Sequence, residues 1–545
     1  MLADALPSFV QSLDPAHTTL GSTLVALIPI VLLLVLLPVL RMSAWQAVTI
    51  GAVVTIILAI TVWNAPVGGT FGAWGVGAGT GIWSIDWITF WGVVIYNTMV
   101  TTGAFGDFRR WIVAQATADV RVQAILLAWA LGALLEGLVG FGYPWAVITP
   151  ILVGLGVIEL DAIRVAAIAN NAPVSFGALG APIIALAAVT HVPLDQLSSS
   201  IGRIVAVLAL FPPWILIVLV AGRRGLRGAW PIAVVGSLSY ILGQFPTSQW
   251  LGPYLPDIIG AVVSFACILL LLRFWRPKQM LGFGGVPIVA GGSVDAPREA
   301  AVRTGTKEAV RGLLPFGILI AVVVAATGPW SHLGNYNFVK PEFDAVSSLS
   351  GKATSVSWAF APAVAGTWIL VSWLIIVVVL RVRPGQLADV FRTTFSQMWG
   401  ALLVAPIIFG LADVFNYSGM ANSMAHGFSR IGPAFLILAP IVGWIGVALS
   451  GSNTSTNTLF GGFQYSLGGL LHMPPLLLPS LNSVGAEIGK PVAPQTASVG
   501  VSTSEYVRRE GQVIRHNLPW TLVLLALLLL IALFFRGVLP SAMTP

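Results

Sequence analysis

Residues 133–144 read Ala133-Leu134-Leu135-Glu136-Gly137-Leu138-Val139-Gly140-Phe141-Gly142-Tyr143-Pro144. Glu136 is the only charged residue between Arg121 and Glu159. A carboxylate in hydrocarbon is costly, so an ionisable residue at such a position marks an ion or substrate path by default. The glycines and the proline predict a broken helix beside it, and this combination is typical of secondary transporters. The alternative is a carboxylate on a short solvated turn, which the apolar flanks disfavour.

The composition predicts an all-α polytopic membrane protein. Hydrophobic residues make up 57% of the 545 residues and charged residues 9%, with a mean hydropathy of +0.91, whereas soluble proteins average about 25% charged residues. Cys267 is the single cysteine and the histidines are scattered, so neither a metal nor another cofactor is predicted. The net charge of +7 does not indicate a nucleic-acid partner. The first apolar segment is expected to remain as an anchor, because no Lys or Arg precedes Arg41.

About twelve segments are long and apolar enough to cross a bilayer. They lie near 20–40, 44–63, 84–105, 161–190, 200–221, 229–245, 257–274, 311–328, 359–381, 392–415, 475–504 and 516–537. Two further apolar segments, 122–157 and 431–472, are interrupted by glycine, proline and polar residues. We interpret each of these as a re-entrant hairpin that enters and leaves on one side.

The positive charges support this topology. With the N-terminus outside, 21 of the 27 Lys and Arg residues fall on inside loops and Lys490 falls within a span. The five outside are Arg203, Lys340, Lys352, Arg430 and Arg536. This asymmetry follows the positive-inside rule and predicts both termini on the outer side of the membrane. Treating either interrupted segment as a full crossing would invert the rest of the chain and remove the asymmetry.

The two interrupted segments resemble each other. Leu135-Glu136-Gly137 aligns with Leu449-Ser450-Gly451, and Ala181-Pro182 aligns with Ala493-Pro494. We therefore predict an inverted repeat with a scaffold and a transport core. The first half is 1–276, with hairpin 122–157 and broken helix 161–190. Residues 277–310 form a cytoplasmic linker, and the second half is 311–545, with hairpin 431–472 and broken helix 475–504.

Polar residues at these breaks are the candidate site. Glu136 and Asp413 are the candidate proton-coupling residues, and the break gives helix N-termini that favour a small anion. Lys490 is the basic residue at membrane depth, and its ammonium can pair with a substrate carboxylate, with Glu136 or with Glu487. The second tip, 450–458, is alternatively a helix-packing surface, since Ser and Thr often join membrane helices. The candidate substrate-binding residues are Gly137, Gly140, Tyr143, Asn170, Asn171, Ser450, Ser452, Asn453, Thr454, Ser455, Lys490 and Gln495.

The chain resembles the bacterial L-lactate permease family nearly from end to end. The motifs that carry the resemblance are Leu135-Glu136-Gly137 with Gly140-Phe141-Gly142, Leu152-Val153-Gly154-Leu155-Gly156, Asn171-Ala172-Pro173-Val174, Gly252-Pro253 with Leu255-Pro256-Asp257, Asn416-Tyr417-Ser418-Gly419, Gly443-Trp444-Ile445-Gly446, Gly451-Ser452-Asn453-Thr454-Ser455 and Gly489-Lys490 with Pro494-Gln495. Tyr143 and Glu487 depart from the family pattern.

The resemblance implies proton-linked uptake of L-lactate and related 2-hydroxymonocarboxylates such as glycolate. A sodium-coupled carboxylate carrier is the alternative, because a Ser/Thr/Asn tip also suits a dehydrated cation. An intramembrane enzyme is disfavoured, because the sequence contains no catalytic His/Asp pair, metal spacing or nucleophile elbow. A passive anion channel is disfavoured too, because a channel gains nothing from a titratable carboxyl group. The sequence leaves the stereochemical preference, the proton stoichiometry and the oligomeric state open.

Overall fold

The computed structural model describes residues 9–37, 40, 42–115, 117–140, 142–288, 306–333, 336–349, 351–502, 504–506 and 508–545. Residues 289–305, half of the predicted linker 277–310, therefore lie outside the described residues. The helices of the first half are α1 (Thr19–Leu36), α2 (Ala44–Thr61), α3 (Val67–Thr80), α4 (Trp87–Thr101), α5 (Ala104–Gln115), α6 (Val120–Gln123), α7 (Gly132–Leu138), α8 (Tyr143–Gly154), α9 (Glu159–Ala169), α10 (Gly177–Thr190), α11 (Leu194–Leu208), α12 (Pro212–Trp250) and α13 (Pro256–Phe274).

The second half continues with nine helices in the described residues. They are α14 (Thr306–Thr327), α15 (Ala365–Val379), α16 (Pro384–Ser418), α17 (Met420–Ser429), α18 (Phe435–Ser450), α19 (Asn453–Leu470), α20 (Leu477–Gly489), α21 (Pro494–Gly500) and α22 (Glu510–Gly537). Two π-helical turns, Gly81–Asp86 and Ala124–Leu131, join α3 to α4 and α6 to α7. Short 3-10 helices lie at Val174–Phe176, Phe283–Gly285, Gly432–Ala434, Lys490–Val492 and Pro540–Met543.

The chain is a multi-pass helical membrane protein. Within the described residues, nine helices are long and apolar enough to cross a membrane, or up to eleven if each of two bent pairs is one span. One bent pair is Glu159–Ala169 with Val174–Thr190, which turn by 67°. That pair occupies the segment 161–190, for which the sequence predicts a broken helix. The total of twelve spans and the re-entrant course of the hairpins stay predictions.

Each interrupted segment contains two helices joined by a glycine turn. In the first segment, the helix α6, the π-helical turn and α7 form one continuous helical stretch that ends at Leu138, and α8 begins at Tyr143. Gly140 and Gly142 adopt φ of 67° and 83°, where a side chain is unfavourable. In the second, α18 and α19 meet at Gly451, with φ of 74°. The polar residues that the sequence singles out thus lie where two helix ends face each other.

Helix α3 extends the predicted segment 84–105 towards the N-terminus. Its glycine-rich sequence gives no apolar stripe, so the sequence does not predict a helix there. The glycines instead permit close packing: an added Cβ at Gly77 would lie 2.7 Å from the Gly410 nitrogen, and one at Gly81 would lie 2.7 Å from the Ala405 oxygen. Small residues at four-residue spacing commonly let membrane helices approach. Packing therefore overrides the low helix propensity of glycine.

A small sheet corrects the all-α prediction. Strand β1 (Phe9–Val10) pairs in parallel with β2 (Glu342–Val346), and β2 pairs antiparallel with β3 (Ala353–Ser357). The register places Phe9 opposite Ala345 and Asp344 opposite Ser355. Alternating burial in β2 and the β-branched Thr354 and Val356 in β3 suit strands with one packed face. The segment after α14 is thus an ordered cap on the helical body rather than a simple connector.

Candidate functional site

A buried ion pair joins the first hairpin to the second broken helix. Glu136 lies in α7 and is 1% exposed, and Lys490, directly after α20, is 5% exposed. The Lys490 ammonium donates to Glu136 Oε1. Asn170, at the C-terminal end of α9, donates through Nδ2 to Glu136 Oε2 over 3.0 Å. Three elements distant in sequence therefore supply one charged cluster.

The backbone leaves room for this cluster through glycine. An added Cβ at Gly177 would lie 2.7 Å from Glu136 Oε1, and one at Gly140 would lie 3.7 Å from the same oxygen. Lys490 follows the end of α20 and opens a 3-10 turn with Pro491. Glu487 precedes it by three residues, a spacing that permits a local pair, but no ion pair joins these two side chains in the described part of the chain. Lys490 pairs with Glu136 instead.

Two more buried carboxyl groups lie close to the pair. Glu487 is 0% exposed, and its Oε2 accepts a hydrogen bond from the Ser175 backbone nitrogen over 3.0 Å. Asp257, near the start of α13, accepts from the Tyr240 hydroxyl over 2.8 Å. Both groups lie within electrostatic range of Glu136 and Lys490. Asp257 is 1% exposed and is therefore buried within the protein.

Gly137 explains why Asp257 reaches the site. An added Cβ at Gly137 would lie 2.8 Å from the Asp257 Cβ, so α7 and the start of α13 are in contact. Asp257 stands after Pro256 at the first turn of an apolar helix, which is also the usual position of a residue at the membrane edge. The Leu255-Pro256-Asp257 motif was the available signal, but no local pattern distinguishes the two placements.

The cluster contains fewer cations than carboxyl groups. Glu136, Glu487 and Asp257 are all buried, and Lys490 is the cation that faces them among the described residues. A buried charge without a partner costs several kcal/mol. One ammonium balances one carboxylate, so two carboxyl groups of the cluster have no cation of their own.

The tip of the second hairpin forms a polar network with the second broken helix. Asn457 donates through Nδ2 to the Pro182 carbonyl over 2.9 Å and to Ser483 Oγ over 3.0 Å. Asn453 donates to the Ser483 carbonyl over 3.2 Å. Asn482 donates to Asn457 Oδ1 over 3.0 Å. This network joins the second tip to the helix after the first break.

Both hairpin tips contact the start of α21. An added Cβ at Gly142 would lie 3.0 Å from Thr496 Cγ2, and one at Gly451 would lie 2.7 Å from the Gln495 side chain. Thr496 also donates from Oγ1 to the Gly451 carbonyl over 3.3 Å. The two glycine turns and the helix after the second break therefore meet at one place.

The predicted site residues do not all share one environment. Ser450 bonds to Thr456 and to the Ser452 backbone, and Ser452 caps α19 by accepting from the Ser455 nitrogen. Ser455 is buried, Thr454 is half-buried, and Gln495 is exposed. Asn171 donates to the nearby Ile168 carbonyl, and Tyr143 packs edge-on against Tyr96.

Asp413 stands apart from the Glu136 cluster. It is buried within α16, and among the described residues no hydrogen bond or ion pair joins it to Glu136 or Lys490. Its neighbour Asn416 reaches the Val189 carbonyl over 3.3 Å. The structure thus groups Glu136, Lys490 and Asn170, and leaves Asp413 on a separate helix.

Five buried oxygens around the cluster have no hydrogen-bond partner among the described residues. They are Oδ1 of Asn170, Asn171 and Asn453, Oδ2 of Asp257 and Oε1 of Glu487. Leaving a buried acceptor unpaired costs about 1–3 kcal/mol. These oxygens therefore favour a ligand that brings a hydroxyl or a proton. Within the described residues, no group of three or more His, Cys, Asp or Glu residues is arranged to hold a metal ion.

Comparisons with known proteins agree on one family. A sequence profile described as L-lactate permease matches residues 22–539. Glycolate permease GlcA of Escherichia coli strain K12 is 34% identical over 547 residues, covering 95% of this chain and 97% of the relative. An L-lactate permease of Bacillus subtilis strain 168 is 31% identical over 550 residues, covering 95% and 97%. The solved YdaH transporter of Alcanivorax borkumensis is 14% identical over 88% of each chain, with a TM-score of 0.43.

Proposed function

Because the chain belongs to the L-lactate permease family, we propose that it carries L-lactate and related 2-hydroxymonocarboxylates such as glycolate across the bacterial cytoplasmic membrane by proton symport. The names of the relatives, a glycolate permease and an L-lactate permease, support this substrate class. The observation that carries the proton coupling is the buried Lys490–Glu136 pair. Glu136 is the proposed proton acceptor and Lys490 the proposed partner of the substrate carboxylate.

The charge balance of this pair supplies the coupling. With Glu136 ionised, the Lys490 ammonium is already neutralised, and a substrate carboxylate would add a negative charge that lacks a cation. With Glu136 protonated, Lys490 would stand alone, and a buried cation without a partner is costly. The substrate carboxylate then restores the balance. Proton and substrate each make binding of the other more favourable, which is reciprocal coupling between two sites.

The unpaired oxygens support selection of a 2-hydroxy acid. Asn170 donates a hydrogen bond to Glu136, and the Oδ1 atom of Asn170 accepts no hydrogen bond from the described residues. A substrate carboxylate on Lys490 would hold its 2-hydroxyl within a few ångströms of the same group. Sites built to hydrogen-bond a substrate hydroxyl discriminate strongly against the analogue without it, because the polar groups of the site are then left unpaired. Lactate and glycolate carry that hydroxyl, and propionate and acetate do not.

The proposed transport cycle uses the two hairpins and broken helices as a core that moves against the remaining spans. Two features support an inverted repeat of these units. Helix α21 begins at Pro494, and Pro182 follows three left-handed residues, Ala178 to Gly180, in the aligned copy. Proline at the first helical turn suits a restarting helix, since its missing N–H is not needed there. The charge asymmetry supports a topology with both termini outside.

The decisive experiment is uptake of labelled L-lactate into proteoliposomes with an imposed inward proton gradient and no sodium. Wild type is expected to concentrate lactate, and Glu136→Gln to exchange it without concentrating it. Exposed Glu342, on strand β2, provides the matched control Glu342→Gln. That control is expected to behave like wild type.

Three other outcomes would contradict the proposal. Concentration by Glu136→Gln would show that another group carries the proton, with Asp413 next in line. Uptake only after sodium is added would indicate a sodium-coupled carrier. Equilibration without concentration in wild type would indicate a channel.

A further inference from the structure

A basic cavity opens where the first hairpin begins, separate from Glu136. It has a volume of about 490 Å³, and the residues of interest in its lining are Arg224, Arg227, Lys278, Trp230 and Trp275. Of the described residues that line it, none carries a carboxyl group. Arg224 and Arg227 lie in α12 just after its kink at Gly222, and Lys278 follows the end of α13. The charge asymmetry assigns these positions to the cytoplasmic side. Like charges held around one cavity favour an anionic ligand.

The cavity rests on a rigid buried network. Arg121 also lines it, but its guanidinium is held by Asp119 through Nε (2.9 Å) and Nη2 (2.6 Å) and by the Gly225 carbonyl (3.0 Å). Asp119 in turn accepts from the Leu281 nitrogen over 3.1 Å. The charge of Arg121 is therefore already neutralised by Asp119, and its side chain forms part of the cavity wall. The charge of Arg224, Arg227 and Lys278 remains for a ligand, since no ion pair involves them among the described residues.

The aromatic residues at the cavity place it at the membrane surface. Trp230 is 56% exposed, and Trp275, the other tryptophan of the lining, is half-buried. Tryptophan is enriched where hydrocarbon meets water. A site for a soluble phosphate compound gains nothing from exposed aromatic faces, whereas a lipid has acyl chains to cover them. Basic pockets between membrane helices on the cytoplasmic side are suited to phosphate headgroups.

We propose that this cavity binds the phosphate of an anionic phospholipid headgroup in the inner leaflet. The phosphate lies between Arg224, Arg227 and Lys278, and the glycerol backbone and upper acyl chains cover Trp230. The positive-inside rule accounts for basic residues at these cytoplasmic positions. It does not require them to line one cavity together with Trp230 and Trp275. The lipid thereby fixes the base of the hairpin whose other end carries Glu136.

The test measures lipid binding to the full-length protein, so its outcome is independent of transport. Detergent-purified wild type is titrated with phosphatidylglycerol and with phosphatidylcholine, and bound lipid is counted by native mass spectrometry. Arg224→Gln/Arg227→Gln/Lys278→Gln is compared with a control that removes three exposed cytoplasmic-side arginines outside the cavity, Arg109→Gln/Arg392→Gln/Arg509→Gln. Each basic residue near an anionic surface contributes about 1 kcal/mol, so the cavity variant is expected to bind phosphatidylglycerol on the order of 100-fold more weakly.

The control is expected to bind phosphatidylglycerol like wild type, and the charge-preserving variant Arg224→Lys/Arg227→Lys/Lys278→Arg is expected to retain most of the binding. The proposal is overturned if the cavity variant binds as tightly as wild type, or if phosphatidylcholine binds equally well. Loss of binding in the control as large as in the cavity variant would also overturn it, since the effect would then be one of total charge. If glycerol 3-phosphate binds as tightly as the lipid, the phosphate site stands and its lipid source is wrong.

Discussion

At the scale of single residues, the buried charges define the site more sharply than the polar tip does. The sequence left three partners open for Lys490, and the structure pairs it with Glu136. Glu136 and Lys490 were predictable as isolated ionisable residues in apolar surroundings. Their pairing was not, because it depends on how two segments 354 positions apart fold together.

Removing one partner of the Lys490–Glu136 pair should destabilise the protein more than removing both. Lys490→Met leaves a buried carboxylate without a cation, which costs about 3–5 kcal/mol. Glu136→Gln/Lys490→Met leaves no charge, so it should unfold at a higher temperature than Lys490→Met alone. Thermal unfolding in detergent measures this difference. Additive losses in the double variant would argue against a direct pair.

Asp257 should tolerate loss of its charge but not loss of its hydrogen bond. Asp257→Asn keeps an acceptor for the Tyr240 hydroxyl. It removes only a charge, and Asp257 has no cation of its own to lose. Asp257→Leu leaves that hydroxyl unpaired and should cost about 1–3 kcal/mol. Tyr240→Phe/Asp257→Leu should recover part of that loss. If Asp257→Asn destabilises as strongly as Asp257→Leu, the carboxyl group is ionised in the folded protein.

At the scale of elements, the interrupted apolar segments were the most readable part of the sequence. Glycine and polar residues inside hydrophobic runs predicted the two interrupted segments and the break that follows Asn170. In the structure, α7 joins α8 in the first segment and α18 joins α19 in the second. Helix α3 was missed because its glycines serve contact with α16, a partner that the local sequence does not reveal. The sheet was missed because β1 pairs with residues in the other half of the chain.

The glycine turn of the first hairpin should be sensitive to a single methyl group. Gly142→Ala places a side chain at φ of 83°, which costs about 1–3 kcal/mol, and pushes it against Thr496. Lactate uptake and thermal stability should both fall. Gly154→Ala is the control, because a Cβ there meets nothing within 4 Å and alanine favours a helix. Equal behaviour of the two variants would mean that the turn does not require glycine.

At the scale of the whole molecule, the two proposed repeats differ in exposure. Pro494 and Gln495 after the second break are exposed, whereas the aligned Pro182 and Ile183 are buried. A polar side chain at membrane depth is exposed where water enters. With the proposed topology, this asymmetry describes a transporter open to the cytoplasm and closed to the outside. The similarity between the sequences of the two breaks does not predict which side is open.

Cysteine labelling tests that asymmetry. In a Cys267→Ser background, Gln495→Cys should react with a membrane-impermeant maleimide in inside-out vesicles, and Ile183→Cys should not. Intact spheroplasts should give little reaction at either position in the resting state. Reaction of Gln495→Cys from the outside alone would reverse the proposed topology.

The small sheet that includes β1 has a consequence for the order of assembly. Gln11, just after β1, donates through Nε2 to the Asn416 carbonyl over 2.9 Å, across 405 positions of sequence. A ribosome adds about 5–20 residues per second, so this contact waits on the order of 20–80 s after Gln11 is made. Until Ala345 and Val346 of β2 are made, β1 has no strand to pair with. The Gln11 contact closes only after residue 416 has been made, when most of the chain has already been synthesised.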